Sequence, residues 1–191
     1  CDAGSSEACV ALGTLYLQGL GVKKDHERGK ALLSEACNHG HQGACEAVAN
    51  IYLHADGEDA TQIDKGKQML QNACNAGWLR ACLLVGLRHS GGGKFYSSFG
   101  TSIDAAEYWF TKACNGGHML GCTMLANTKY KRGSIADLRM ASDLHQKACD
   151  RKASVSCHSL GTAYLYGIGR PKNPVRSAAL FRKACNDRAC S

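Results

Sequence analysis

An all-α solenoid of about five stapled helix pairs is expected from this 191-residue chain, and three observations carry that expectation. Cysteines recur in pairs eight residues apart, as Cys1/Cys9, Cys37/Cys45, Cys74/Cys82, Cys114/Cys122 and Cys149/Cys157, and successive pairs are 35 to 40 residues apart. Each interval contains two stretches with apolar residues at helical spacing, and the second always ends in Ala-Cys. A fixed period of this size marks a repeat array in which each repeat buries its apolar face against its neighbours.

The repeats run from 9 to 37, 45 to 74, 82 to 114, 122 to 149 and 157 to 185, and the expected organisation is a single array over 1–191. Each opens with a helix A: CVALGTLYLQG, CEAVANIYLHA, CLLVGLRHSGG, CTMLANTKYKR and CHSLGTAYLYG. Leu12, Val48, Val85, Leu125 and Leu160 are third after the cysteine, and Gly13, Ala49, Gly86, Ala126 and Gly161 follow them. A large residue beside a small one lets a second helix pack closely.

A helix B closes each repeat: GKALLSEAC, GKQMLQNAC, AEYWFTKAC, ASDLHQKAC and SAALFRKAC. Its expected core residues are Leu32, Met69, Trp109, Leu144 and Leu180, five before the cysteine, with Ala36, Ala73, Ala113, Ala148 and Ala184 next to it. Asp25, Ser102, Asp137 and Asn173 stand twelve before the cysteine as expected N-caps, and Gln62 breaks the rule in the second repeat. Pro174 fits a first helical position. Paired glycines in LQGLGVKKD and LYGIGRPKN are expected to take positive φ in tight turns. The third repeat instead carries an insertion, SGGGKFYSSFGTS, whose Lys94, Phe95, Tyr96 and Phe99 are candidates for contact with a partner.

With 45% hydrophobic and 20% charged residues the composition is that of a soluble globular chain, and no apolar run approaches the roughly 20 residues needed to span a membrane. No signal peptide is present, so the expectation is a mature or trimmed product, with Cys1 a conceivable lipid anchor. No CxxC or zinc-finger spacing occurs, which argues against metal or redox chemistry at the cysteines. The eight-residue spacing sets both sulfurs at the base of an αα-hairpin, so local structural bridges in an oxidising compartment are expected, with long-range connectivities still open. Cys185 and Cys190 are only five apart, which points to a cap or a missing sixth repeat.

The pattern A-C-x-x-L-G-x-x-Y-x-x-G-x-G-V-x-x-D, followed by a helix ending K-A-C-x-x-G, resembles the Sel-1-like repeat family. The cysteine pairs resemble its disulfide-rich branch, typified by the Helicobacter cysteine-rich proteins. The resemblance implies a right-handed superhelix of antiparallel, tetratricopeptide-like helix pairs that serves as an adaptor or scaffold. By analogy with tetratricopeptide arrays, the inward positions of helix A are Val10, Thr14, Leu17 and Gln18; Glu46, Asn50, Leu53 and His54; and Leu83, Leu87 and Ser90. The last two repeats contribute Thr123, Asn127, Tyr130 and Lys131, then His158, Thr162, Leu165 and Tyr166. This lining mixes amides and hydroxyls with Leu and Tyr, as suits a peptide or protein loop.

The expected function is a noncatalytic, monomeric binding module, periplasmic or secreted, acting as an adaptor or as an immunity-type inhibitor of an effector enzyme. A penicillin-binding or weak β-lactamase activity is the alternative that the resemblance implies. S-x-x-K, G-x-S-x-G, P-loop and HExxH motifs are all absent. No cofactor and no metal are expected; His39, His41 and His118 read as turn residues. The net charge of +7 favours acidic partners weakly, and nothing in the sequence indicates nucleic acid or a membrane span.

Overall fold

The computed structural model describes residues 5–53, 60–91 and 101–186, and every regular element among them is an α-helix. Two compact units form, Cys1–Gly100 and Thr101–Ser191. The first contains α1 (Ser6–Gln18), α2 (His26–Asn38), α3 (Gln42–Leu53), α4 (Ala60–Asn75) and α5 (Leu79–His89). The second contains α6 (Ile103–Asn115), α7 (Met119–Arg132), α8 (Ile135–Asp150), α9 (Ser154–Tyr166) and α10 (Pro174–Asn186). Within each unit every helix packs on the next in sequence, as short connections between helices require.

Helix A extends further back than the sequence indicates. It begins three residues before its cysteine, at Ser6, Gln42, Leu79, Met119 and Ser154. The cysteines therefore sit in the last turn of one helix and the first turn of the next. Cys37–Cys45, Cys74–Cys82, Cys114–Cys122 and Cys149–Cys157 are bonded, with Cα atoms 4.5–4.7 Å apart. Cys9 and Cys185 are disulfide-bonded as well. Cys1 and Cys190, their expected partners, lie outside the described residues.

Asp25, Ser102 and Asn173 accept backbone N–H groups from Arg28, Ala105 and Arg176, satisfying donors that a helix start leaves open. Asp137 does not cap α8. The cap is Ser134, which accepts from Asp137 N at 3.1 Å and donates its hydroxyl to the Asp137 carboxylate at 2.5 Å. This pair of bonds starts the helix three residues earlier than the spacing rule predicts. Gln62 lies inside α4, which begins at Ala60. His41 and His118 cap helices: their Nδ1 atoms accept from Ala44 N at 3.1 Å and Gly121 N at 3.3 Å, at the starts of α3 and α7.

The core also corrects the sequence reading by one position. Leu32, Met69, Trp109 and Leu144 are only partly buried, whereas Leu33, Leu70 and Phe110, four before the cysteine, are 0–1% exposed. The same position in α8 is His145. Leu180 is buried as expected. On the facing helices Val48, Val85, Leu125 and Leu160 are buried, and small residues let the paired backbones meet. A Cβ on Gly29 would stand 2.8 Å from the Gly13 carbonyl oxygen, so α1 and α2 close on each other where neither has a side chain.

The expected glycine turns are present, with Gly19 and Gly21 at φ +74° and +71° and Gly167 and Gly169 at +76° and +69°. Gly169 is the most constrained, because a Cβ there would lie 2.1 Å from the Leu138 carbonyl oxygen of α8. Gly169→Ala is therefore expected to lower stability by about 2 kcal/mol or more, combining left-handed backbone strain of roughly 1–2 kcal/mol with displacement of the turn. Urea unfolding of the two proteins measures it, and equal midpoints would refute the requirement.

Candidate protein-interaction site

Adjacent A helices are tied together along the face where inward residues were expected. In the first unit, Arg80 of α5 donates from Nε to Glu46 Oε2 at 2.8 Å, and Arg88, only 4% exposed, donates from Nη2 to Asn50 Oδ1 at 2.8 Å. Glu46 and Asn50 thus bind α5 to α3 with their side chains. Thr14 is half-buried and donates to the Val10 carbonyl at 2.8 Å, Gln18 is exposed, and Leu87 is half-buried. Leu17 packs onto Gly29 of α2, and Leu53 and Leu83 belong to the core. His54 and Tyr96 lie outside the described residues, as do Lys94, Phe95 and Phe99.

The second unit assembles the expected residues into one place. Asn127 and Tyr130 from α7 and His158 and Thr162 from α9 line a cavity of about 260 Å³. Its inner wall comes from α8, through Ala141, Ser142 and His145, and Ile168 of the glycine turn forms another side. The turn is held over α8 by Ser142 Oγ, which donates to the Ile168 carbonyl at 3.1 Å, and by Arg170, which pairs with Asp143 at 2.9 Å and stacks on Tyr164. Lys131 and Tyr166 are exposed nearby in sequence but do not line the cavity.

A buried polar chain supports the inner wall. The Thr123 hydroxyl, 1% exposed, donates to the Met119 carbonyl at 3.1 Å and lies 2.7 Å from Ser156 Oγ, which is 3.3 Å from His145 Nδ1. Thr123 of α7, Ser156 of α9 and His145 of α8 thus form one buried chain of polar side chains across three helices. Burial, helped by the charge of Arg170, pushes the His145 pKa down to about 4, which keeps the imidazole neutral.

Basic residues of the KYKR segment are largely committed to structure. Lys129 pairs with Glu107 and Asp137, and Arg132 with Asp104 and Glu107, tying α6, α7 and α8 together. Hydrogen bonding to Glu107 raises the Lys129 pKa, and the Ser134 hydroxyl lowers that of Asp137. Among the described residues no group of three or more His, Cys, Asp or Glu side chains is arranged to hold a metal.

The sequence reading missed Arg80, Arg88, Ser156 and His145. The first three are visible only as cross-helix partners. His145 has a signal, being the one polar residue at a helix B position otherwise filled by Leu33, Leu70, Phe110 and Phe181.

Disulfide-stapled helix hairpins, each packed on the next in sequence within its unit, define an α-helical repeat protein. The Sel1 repeat matches residues 6–41, 43–78, 79–118 and 154–187, and the chain belongs to the Sel1 repeat family, whose members are generally protein-interaction modules. Solved structures share the fold. A Sel1 repeat protein from Oxalobacter formigenes is similar at a TM-score of 0.76 and 23% identity, over 97% of this chain and 53% of that one. The protective antigen c5321 of uropathogenic Escherichia coli, which displays an SLR fold, is similar at 0.73 and 20% identity, over 96% of this chain and 38% of that one. The chain thus spans about half or less of the length of these proteins. No curated protein sequence matches it.

The bonded pairs belong to an oxidising compartment. Among the described residues no helix is long and apolar enough to cross a membrane.

Proposed function

We propose that this chain is a noncatalytic, monomeric binding module, periplasmic or secreted, that holds a protein partner on the exposed surface of its A helices. The observation that carries the reading is the convergence of Asn127, Tyr130, His158 and Thr162 on one cavity, with Tyr130, Leu165 and Tyr166 exposed on the same two helices. Exposed tyrosines beside polar amides supply the anchors and adaptable contacts of binding surfaces. The other positions proposed for partner contact are Thr14, Gln18, Glu46, Asn50, His54, Leu87 and Tyr96 of the first unit's sequence and Lys131 of the second.

The role is adaptor or immunity-type inhibitor, and one experiment separates them. A nonreducing pull-down from an envelope fraction, with the intact chain as bait, should recover a stoichiometric partner. If that partner is an enzyme whose activity disappears in a one-to-one complex, the chain is an inhibitor; unchanged activity makes it an adaptor. Tyr130→Ala and Tyr166→Ala should each weaken the complex roughly tenfold or more, as loss of an aromatic anchor does. Retention of a labelled β-lactam in place of any protein would defeat the proposal.

A further inference from the structure

We propose that Cys37–Cys45 is the thiol-exchange site of the array, the joint that an incoming thiolate opens while Cys74–Cys82, Cys114–Cys122 and Cys149–Cys157 stay closed. The chain is the substrate of this exchange and not its catalyst, in keeping with the absence of any CxxC.

The four bridges share one spacing but not one degree of cover. Cys74, Cys82, Cys114, Cys122, Cys149 and Cys157 are 0–1% exposed, whereas Cys37 and Cys45 are each half-buried. Both of these also line a groove of about 450 Å³, walled by Met69, Asn72 and Ala73 of α4 and by Trp78. Exchange requires the attacking sulfur to reach a bridge sulfur, so among bridges of like geometry access decides which is labile. The groove lining carries no carboxylate, and nothing on it repels an anionic thiolate.

The fold also sets the direction of attack. Cys37 stands in the last turn of α2 and Cys45 in the first turn of α3. The positive end of α3 stabilises a thiolate on Cys45, and the negative end of α2 disfavours one on Cys37. The incoming thiolate therefore bonds to Cys37 Sγ, the Cys37–Cys45 S–S bond breaks, and its electron pair leaves on Cys45 as the better leaving group. A second thiol of the reductant then attacks the mixed disulfide and releases Cys37, which takes up a proton. The joint is reduced, and the reductant is oxidised to its own disulfide.

The test treats the intact, folded protein with limiting dithiothreitol, alkylates it with iodoacetamide and maps the labelled cysteines by peptide mass. Cys37 and Cys45 should be labelled roughly tenfold faster or more than Cys74 and Cys82, the neighbouring joint of the same unit. In urea the four joints should be labelled at similar rates, because burial no longer distinguishes them. Asn72 is exposed on the groove wall, so Asn72→Trp should fold and should slow the opening of Cys37–Cys45 alone. With glutathione and iodoacetamide together, the glutathione adduct should map to Cys37 and the alkyl group to Cys45.

A thioredoxin-type dithiol protein in place of dithiothreitol separates the sources of the thiol. Opening of the same joint by that protein extends the site to protein thiols; opening by dithiothreitol alone assigns it to small thiols. Equal labelling of the four joints in the folded protein, earlier opening of any of the other three, or an unchanged rate in Asn72→Trp would overturn the proposal. A glutathione adduct on Cys45 would overturn the direction of attack.

Discussion

Reduction of the disulfides is expected to abolish the folded state at 37 °C. Each bridge closes a loop of about nine residues, for which the chain-entropy account gives roughly 2.5 kcal/mol of stabilisation. The four bonded joints, Cys37–Cys45, Cys74–Cys82, Cys114–Cys122 and Cys149–Cys157, then contribute about 10 kcal/mol together, similar to the whole stability of many domains. The helices lend support to this estimate. They are 11 to 16 residues long, a length at which an isolated helix is marginal in water, so their persistence depends on being held against neighbours.

Circular dichroism with and without a phosphine reductant measures the effect. The reduced chain should lose most helical signal at 37 °C, while the paired variant Cys149→Ala/Cys157→Ala should lose only about 2.5 kcal/mol in urea. A reduced protein that melts at the same temperature as the oxidised one would show that packing alone suffices.

Acid should destabilise the second unit through His145. Its folded pKa is depressed to about 4, against an ordinary value of 6.5. Below pH 6.5 the unfolded chain binds a proton that the folded chain refuses, so stability falls as pH drops from 6.5 toward 4. The neutral-pH contribution is fully present above 6.5, and about 3 kcal/mol is lost across that window, at roughly 1.4 kcal/mol per pH unit. The groups around the ring make the sign clear. Arg170 from the α9–α10 turn repels an imidazolium, its partner Asp143 on α8 is engaged by that arginine, and α7 and α9 present Tyr130 and His158 to the cavity without a carboxylate.

Urea titrations at pH 7 and pH 4.5 should therefore differ strongly for the parent and much less for His145→Leu. The leucine variant should also be at least as stable as the parent at pH 4.5, because it removes the group that seeks the proton. An equal acid loss in both proteins would assign the effect to carboxylates elsewhere and not to His145.

The helices were legible in the sequence because their signals are local. Large-small pairs such as Val48-Ala49 and Leu160-Gly161, caps at Asp25, Ser102 and Asn173, and glycine turns act within a few residues of themselves. Errors arose where two local signals competed. Ser134 and Asp137 both suit an N-cap, and their mutual hydrogen bonds decided for the earlier residue. Leu32 and Leu33 are both apolar, and only the direction from which α1 approaches decided that Leu33 is buried.

The candidate cavity was legible in part. Counting positions along helix A picked out Asn127, Tyr130, His158 and Thr162, which do share a cavity, but it also picked Glu46 and Asn50, which the structure engages with arginines of α5. Nothing in the second repeat alone announces those partners, 34 and 38 residues away.

By itself the sequence determined that the chain is an array of helix pairs with a cysteine at each side of every joint, because periodicity, capping and loop closure are properties of neighbours along the chain. Only the tertiary structure decided which polar residues remain open to a ligand. That depends on what the adjacent helix brings across the gap: arginines that satisfy α3 in the first unit, and in the second the residues of α8 and the Ile168 turn that wall a cavity between α7 and α9.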